Sequence, residues 1–181
     1  MVRPLILFVT AIILASCAGP IEQRIVSSGS GATGSGSYIL ADSGKNSSSS
    51  AQTAYAAVEK SLAERGWTKA PDSDESAAHI LTVAVSDRPA DIALTQQSAN
   101  RSVTVSAAKQ HKPLQRCTDR EYRLQVRIER LSDGTQIYGG SASEYHCKTT
   151  LDEVLSVLAG AAVADLRSPR GAYIVERTGR E

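Results

Sequence analysis

Two runs of alternating character flank Asp133-Gly134, and this pattern over residues 120–146 constrains the fold more than any other. Asp-Gly tolerates positive φ at both central positions of a tight turn, which makes it a strong short-range hairpin signal. A two-residue loop would pair Ser132 with Thr135. It would then set Tyr122 opposite Tyr145, Leu124 opposite Ser143, Val126 opposite Ser141 and Ile128 opposite Gly139. One face of the first strand reads Tyr122, Leu124, Val126 and Ile128; the other reads Glu121, Arg123, Gln125, Arg127 and Glu129. An antiparallel sheet covered on one side and wet on the other has this character. Gly139-Gly140 predicts either a bulge or the close approach of a helix.

Around that hairpin the chain punctuates itself. Ala51, Tyr55, Val58 and Leu62 recur at helical spacing, predicting a helix over residues 51–65. The preceding serines can cap it, and Gly66 can take the left-handed C′ conformation that ends it, with Trp67 folding back. Leu81, Val83 and Val85 alternate within a strand over 79–86. Residues 87–100 read as a loop and 102–107 as a short strand. A second helix over 150–166 carries Thr149 or Thr150 as cap and Asp152 and Glu153 in its first turn. Its stripe is Leu151, Val154, Leu155, Leu158, Ala162 and Leu166, and a closing strand spans 172–177.

The N-terminus has a different composition. Arg3 precedes an apolar run from Leu5 to Leu14, far shorter than the ~20 residues a membrane span needs. It therefore reads as an export signal over residues 1–16. Leu14-Ala15-Ser16-Cys17 resembles the bacterial lipobox, which implies that Cys17 becomes the acylated first residue of the mature chain. Ala18 stands where inner-membrane retention would place Asp, so the resemblance implies an outer-membrane anchor facing the periplasm. A single acyl chain such as palmitate anchors only marginally, at ~0.8 kcal/mol per buried methylene, whereas two or three hold the protein stably. Residues 17–37 read as a lipidated end with a short strand over 21–27 and a flexible Gly/Ser tether, and 38–181 as one domain. A tether over 18–37 would let that domain range ~25 Å. Gly29, Gly31 and Gly34 match a dinucleotide-binding spacing, but a strand-like segment follows where phosphate binding needs a helix, so they read as linker.

Cys117 and Cys147 lie at the open end of the hairpin, and in an oxidising compartment they are expected to form a disulfide. The ideal register puts Cys147 opposite Arg120. The competing reading is a metal site built from Cys117, Cys147, His146 and His111. It suffers because His146 and Cys147 are adjacent and point to opposite faces of a strand. No catalytic motif has a supporting context: His79, His111 and His146 read as strand-end or loop residues, and Asp72, Asp74 and Glu75 as a solvated turn. No cofactor and no metal is expected. Arg3 is the only charge in residues 1–16, so the mature chain carries 19 basic and 19 acidic side chains. It offers no basic field for nucleic acid.

The order of these features resembles a proteobacterial family of short envelope lipoproteins classed as a domain of unknown function. It runs from lipobox and Ser-rich tract through a helix ending in Gly66-Trp67 and the strands around Asp133-Gly134. A small-residue helix and a Ser168-Pro169-Arg170-Gly171 strand entry complete it. The resemblance implies an α+β fold, with a mainly antiparallel sheet and two helices packed on one face. It carries over no catalytic residue. The expectation is a non-enzymatic lipoprotein held to the membrane by its N-terminal lipid and displaying its domain for a structural role or an envelope partner. An accessory subunit of a transport or assembly complex and a small-ligand or lipid carrier are the alternatives.

Overall fold

The computed structural model describes residues 20–32, 34–41, 48–71, 77–98, 101–110 and 116–178. Along these the chain forms β1 (Ile21–Ser28), β2 (Ser37–Leu40), α1 (Ser49–Ala63), β3 (Thr68–Lys69), β4 (His79–Pro89), β5 (Leu94–Ser98) and β6 (Arg101–Ser106). Then follow β7 (Arg120–Arg130), β8 (Gln136–His146), α2 (Leu151–Ala162) and β9 (Gly171–Arg177). Seven strands make one sheet in the order β3-β2-β4-β7-β8-β1-β9, while β5 and β6 form a separate ribbon. Only β2 pairs in parallel, with β3 and β4; the other pairings of the large sheet are antiparallel. The fold is α+β, with both helices on one face of the sheet.

Local signals set the helix ends. The Ser48 hydroxyl accepts from the Ala51 amide at 3.3 Å. Gly66 ends α1 with φ of +81°, and the Trp67 amide reaches back to the Leu62 carbonyl at 3.0 Å. At the start of α2 the Thr150 amide donates to the Glu153 carboxylate at 2.6 Å, half of a capping box. Leu81, Leu124, Val126 and Ile128 from the sheet meet Val58 and Leu62 from α1 and Leu155 and Leu158 from α2 in one core. Each such side chain contributes about 1.5–3 kcal/mol by leaving water.

The hairpin departs from the expected register. Its loop has four residues, 131–134, closed by the Arg130 amide on the Thr135 carbonyl at 2.9 Å, with Gly134 at φ +68°. A bulge follows, because Glu129 pairs with Gln136 but Ile128 with Tyr138, leaving Ile137 as the extra residue. Tyr122 therefore faces Glu144, Leu124 faces Ala142, Val126 faces Gly140 and Ile128 faces Tyr138. One residue of slip reverses which side chains of β8 meet the helices. The bulge lets Ile137 and Tyr138, neighbours in sequence, both bury. Of the two readings of Gly139-Gly140, the helix approach applies to Gly140: a Cβ there would collide with the Ala162 carbonyl oxygen at the end of α2. That same carbonyl accepts from the Tyr138 hydroxyl at 2.6 Å, and burial raises the phenol pKa above its ordinary value.

Two other expectations need correction. The stretch 87–100 is not all loop, since β4 continues to Pro89 and β5 occupies Leu94–Ser98. More consequentially, the segment read as short strand plus tether is largely part of the body. β1 runs inside the sheet between β8 and β9, pairing Gln23 with both Glu144 and Val175. Gly29 and Gly31 hold positive φ, and any Cβ on Gly31 would lie 2.5 Å from the Arg167 carbonyl oxygen. The Gly31 and Ala32 amides donate to the carbonyls of Ile137 and Leu166 at 3.0 and 2.8 Å. At Gly29 and Gly31 the missing side chain permits close backbone packing.

Candidate functional site

At the end of the sheet where β1 and β7 begin, the helix-facing side changes from apolar to charged. Antiparallel pairing puts Gln23 of β1 beside Glu144 of β8, and β9 brings Arg177 alongside. Glu144 is fully buried. Its Oε1 accepts from Gln23 Nε2 and from Arg177 Nε, each at 2.7 Å. Its Oε2 accepts from Arg177 Nη2 at 2.6 Å and lies 2.7 Å from His146 Nε2. The His146 ring stacks on Tyr122 with centroids 5.8 Å apart, and the Tyr122 hydroxyl donates to the Thr149 carbonyl at 2.7 Å. Burial pushes the Glu144 carboxyl up, but the hydrogen bonds from Arg177 and His146 together outweigh it and hold the pKa below the ordinary glutamate value. Four contacts from three residues, Gln23, His146 and Arg177, surround this carboxylate.

The outer face also carries a buried acid, which corrects the expectation of a wholly wet surface. Glu121 is 1 % exposed. It pairs with Arg88, with Arg123 Nη2 at 2.7 Å and with the Ser106 hydroxyl at 3.0 Å, so the base of the β5–β6 ribbon covers it. Nearby, Lys109 pairs with Asp119 at 2.8 Å and lies 4.8 Å above the Tyr145 ring. The Cys117–Cys147 disulfide closes this end, with Cα atoms 5.5 Å apart. The shifted register explains the fit, because it sets His146 rather than Cys147 opposite Arg120 and so brings Cys147 closer to Cys117. Both thiols are consumed, which removes the sulfur ligands from the metal alternative.

The third feature is the margin of the sheet. β9 is an edge strand of seven residues, hydrogen-bonded on one side to β1. Ile174 is 62 % exposed and Val175 39 %, and Val26 of β1 is exposed beside them on the face of Ile174. The opposite margin is closed by β3, only two residues long. Long edges with exposed apolar residues are templates for a further strand or partner.

The residues singled out from the sequence fare differently. Cys117 and Cys147 are joined. Cys17, His111 and the acidic turn at 72–75 lie outside the described residues. His79 is half-buried, with Nδ1 3.1 Å from the Ser37 carbonyl oxygen and its ring against Trp67. His146 is no strand-end bystander. Glu144 and His146 are two apart on one strand, hence on one face, and that spacing was the available signal for their pairing. Nothing in the local sequence pointed to Gln23 or Arg177.

No family model matches the chain, and no curated protein matches it. Solved structures do share its fold. One is the PelC dodecamer of Paraburkholderia phytofirmans, 10 % identical with a TM-score of 0.51, the match covering 82 % of this chain and 99 % of that one. Another is a PDZ domain protein of Parabacteroides distasonis, 12 % identical with a TM-score of 0.55. There the match covers 93 % of this chain but 42 % of the longer protein. At such identities the similarity establishes a common fold.

Proposed function

We propose that this chain is a non-enzymatic lipoprotein of the cell envelope, anchored through acylated Cys17 in the outer membrane, facing the periplasm, and docking a protein partner along β9. It is of the same kind as the short envelope lipoproteins of unknown function that its sequence resembles. The observation that carries the docking is the exposed apolar edge at Ile174 and Val175. The position of β1 sharpens the anchoring. Three residues separate Cys17 from Ile21, so their chain reaches about 14 Å at most. The body would stand on the bilayer by the end that holds Glu144 and the disulfide, with no long tether.

A second reading, an accessory subunit that oligomerises within a transport or assembly complex, is favoured by one fact: the similar PelC chain forms a dodecamer. Photocrosslinking from position 174 in intact cells, with mass spectrometry of the adducts, separates the two. A single stoichiometric envelope protein supports the first, a second copy of this chain supports the second, and no adduct sinks edge docking. Labelled palmitate tests the anchor. Incorporation lost in Cys17→Ser supports it, and incorporation that persists overturns it.

A further inference from the structure

Both helices end at the same pole of the molecule, remote from Ile21, and a cleft of about 440 Å³ opens there. Arg65, Trp67, Asp165, Arg167 and Arg170 line it. Its walls are fixed by backbone. Ala32 bonds to Leu166, and Gly31 lies so close to the Arg167 carbonyl that no side chain fits between them.

The charges of the cleft do not balance. Asp165 is buried, and its carboxylate is occupied by the Ser27 hydroxyl at 2.9 Å and Arg170 Nε at 2.7 Å. That pair is neutral. Arg65 donates to neutral acceptors, the carbonyls of Ser61 at 2.6 Å and Gly160 at 3.4 Å, which uses two of its five N–H groups. Arg167 is exposed and has no hydrogen-bond or ion-pair partner among the described residues. Trp67 also lines the cleft and is 3 % exposed. Two guanidinium charges without a carboxylate partner therefore meet in one concavity of ligand size.

We infer that this cleft binds an oxyanion, the carboxylate or phosphate group of a small solute. Arg65 and Arg167 supply charge-assisted donors, and Trp67 forms part of the wall beside them. The arginines favour a planar or tetrahedral group with several acceptor oxygens over a neutral hydroxylated ligand. Capping of the helix carbonyls by Arg65 is compatible with this role, because its remaining donors are uncommitted.

Trp67 is the only tryptophan of the chain, so its indole N–H gives a single proton–nitrogen resonance. The lipidated mature protein in detergent is titrated at constant ionic strength with inorganic phosphate, with glucuronate and with neutral glucose. Saturable movement of that resonance by phosphate identifies a phosphate ligand, and by glucuronate a carboxylate one; either supports the site. Arg167→Gln, a change at an exposed position, should raise the dissociation constant about tenfold, the loss expected for one charged hydrogen bond. The inference is overturned if neither anion moves the resonance, if glucose moves it equally, or if Arg167→Gln binds as tightly as the parent.

Discussion

The side of the sheet that faces the helices is built in two ways. Across β4, β7 and the middle of β8 it consists of Leu81, Leu124, Val126, Ile128 and Ala142 against α1 and α2. Toward the pole where β1 begins and β8 and β9 finish, the same layer is Gln23, Glu144, His146 and Arg177. Both regions are buried and tightly paired, yet they depend on different physics. The apolar region is held by area removed from water, which does not change with pH and tolerates many substitutions of similar volume. The charged region is held by mutual neutralisation. It contributes modestly while whole, and costs much when one partner is removed, because the other charge stays buried.

Substitutions that leave one partner stranded test that contrast most directly. Arg177→Met strips Glu144 of its two guanidinium donors, and at pH 7 it should lower the unfolding free energy by about 3–5 kcal/mol in denaturant titrations. Replacing Cys117 and Cys147 together by Ala opens a loop with a sequence separation of 30 and should cost about 3–4 kcal/mol, read in the same titration. Leu124→Ala, in the apolar half, should cost about 3 kcal/mol by transfer and cavity terms. Tyr122→Phe removes one hydrogen bond to the Thr149 carbonyl and should cost about 1 kcal/mol.

Acid sharpens the comparison. The Glu144 pKa is depressed in the folded chain, so its contribution is complete above the unfolded glutamate value of ~4.3 and is lost as pH falls through the lower folded value. Unfolding free energy measured from pH 6 down to pH 2 should drop along this limb in the parent and equally in Leu124→Ala. The drop should be shallower in Arg177→Met, where the carboxyl is no longer held down. Parallel acid limbs in all three proteins would remove the distinction between the two halves.

Much of this architecture could be read along the chain, because it depends on neighbours in sequence. The period of Tyr55, Val58 and Leu62 and the stop at Gly66 are properties of one helical segment. The alternation of Tyr122, Leu124, Val126 and Ile128 belongs to one strand, and the face it buries follows without knowledge of the partner. The pairing of Cys117 with Cys147 was accessible because both lie at the open end of one hairpin and an oxidising compartment joins such thiols, while the register decided how closely they meet.

What the sequence alone could not supply was every choice made by distant partners. Whether β8 meets β7 in one register or the next was decided by the bulge at Ile137, which buries two consecutive side chains that no short loop could accommodate. Residues 21–28 look like a strand adrift in Gly- and Ser-rich chain, and only their insertion between β8 and β9 makes them structural. Glu121 reads as a solvent-facing acid until Arg88 and Arg123 arrive to neutralise it, and the burial of Glu144 depends on Arg177 from the distant β9. Local periodicity determines the elements and their apolar faces; the energy of burying a charge or a backbone amide depends on what lies opposite, and that is settled when the sheet closes.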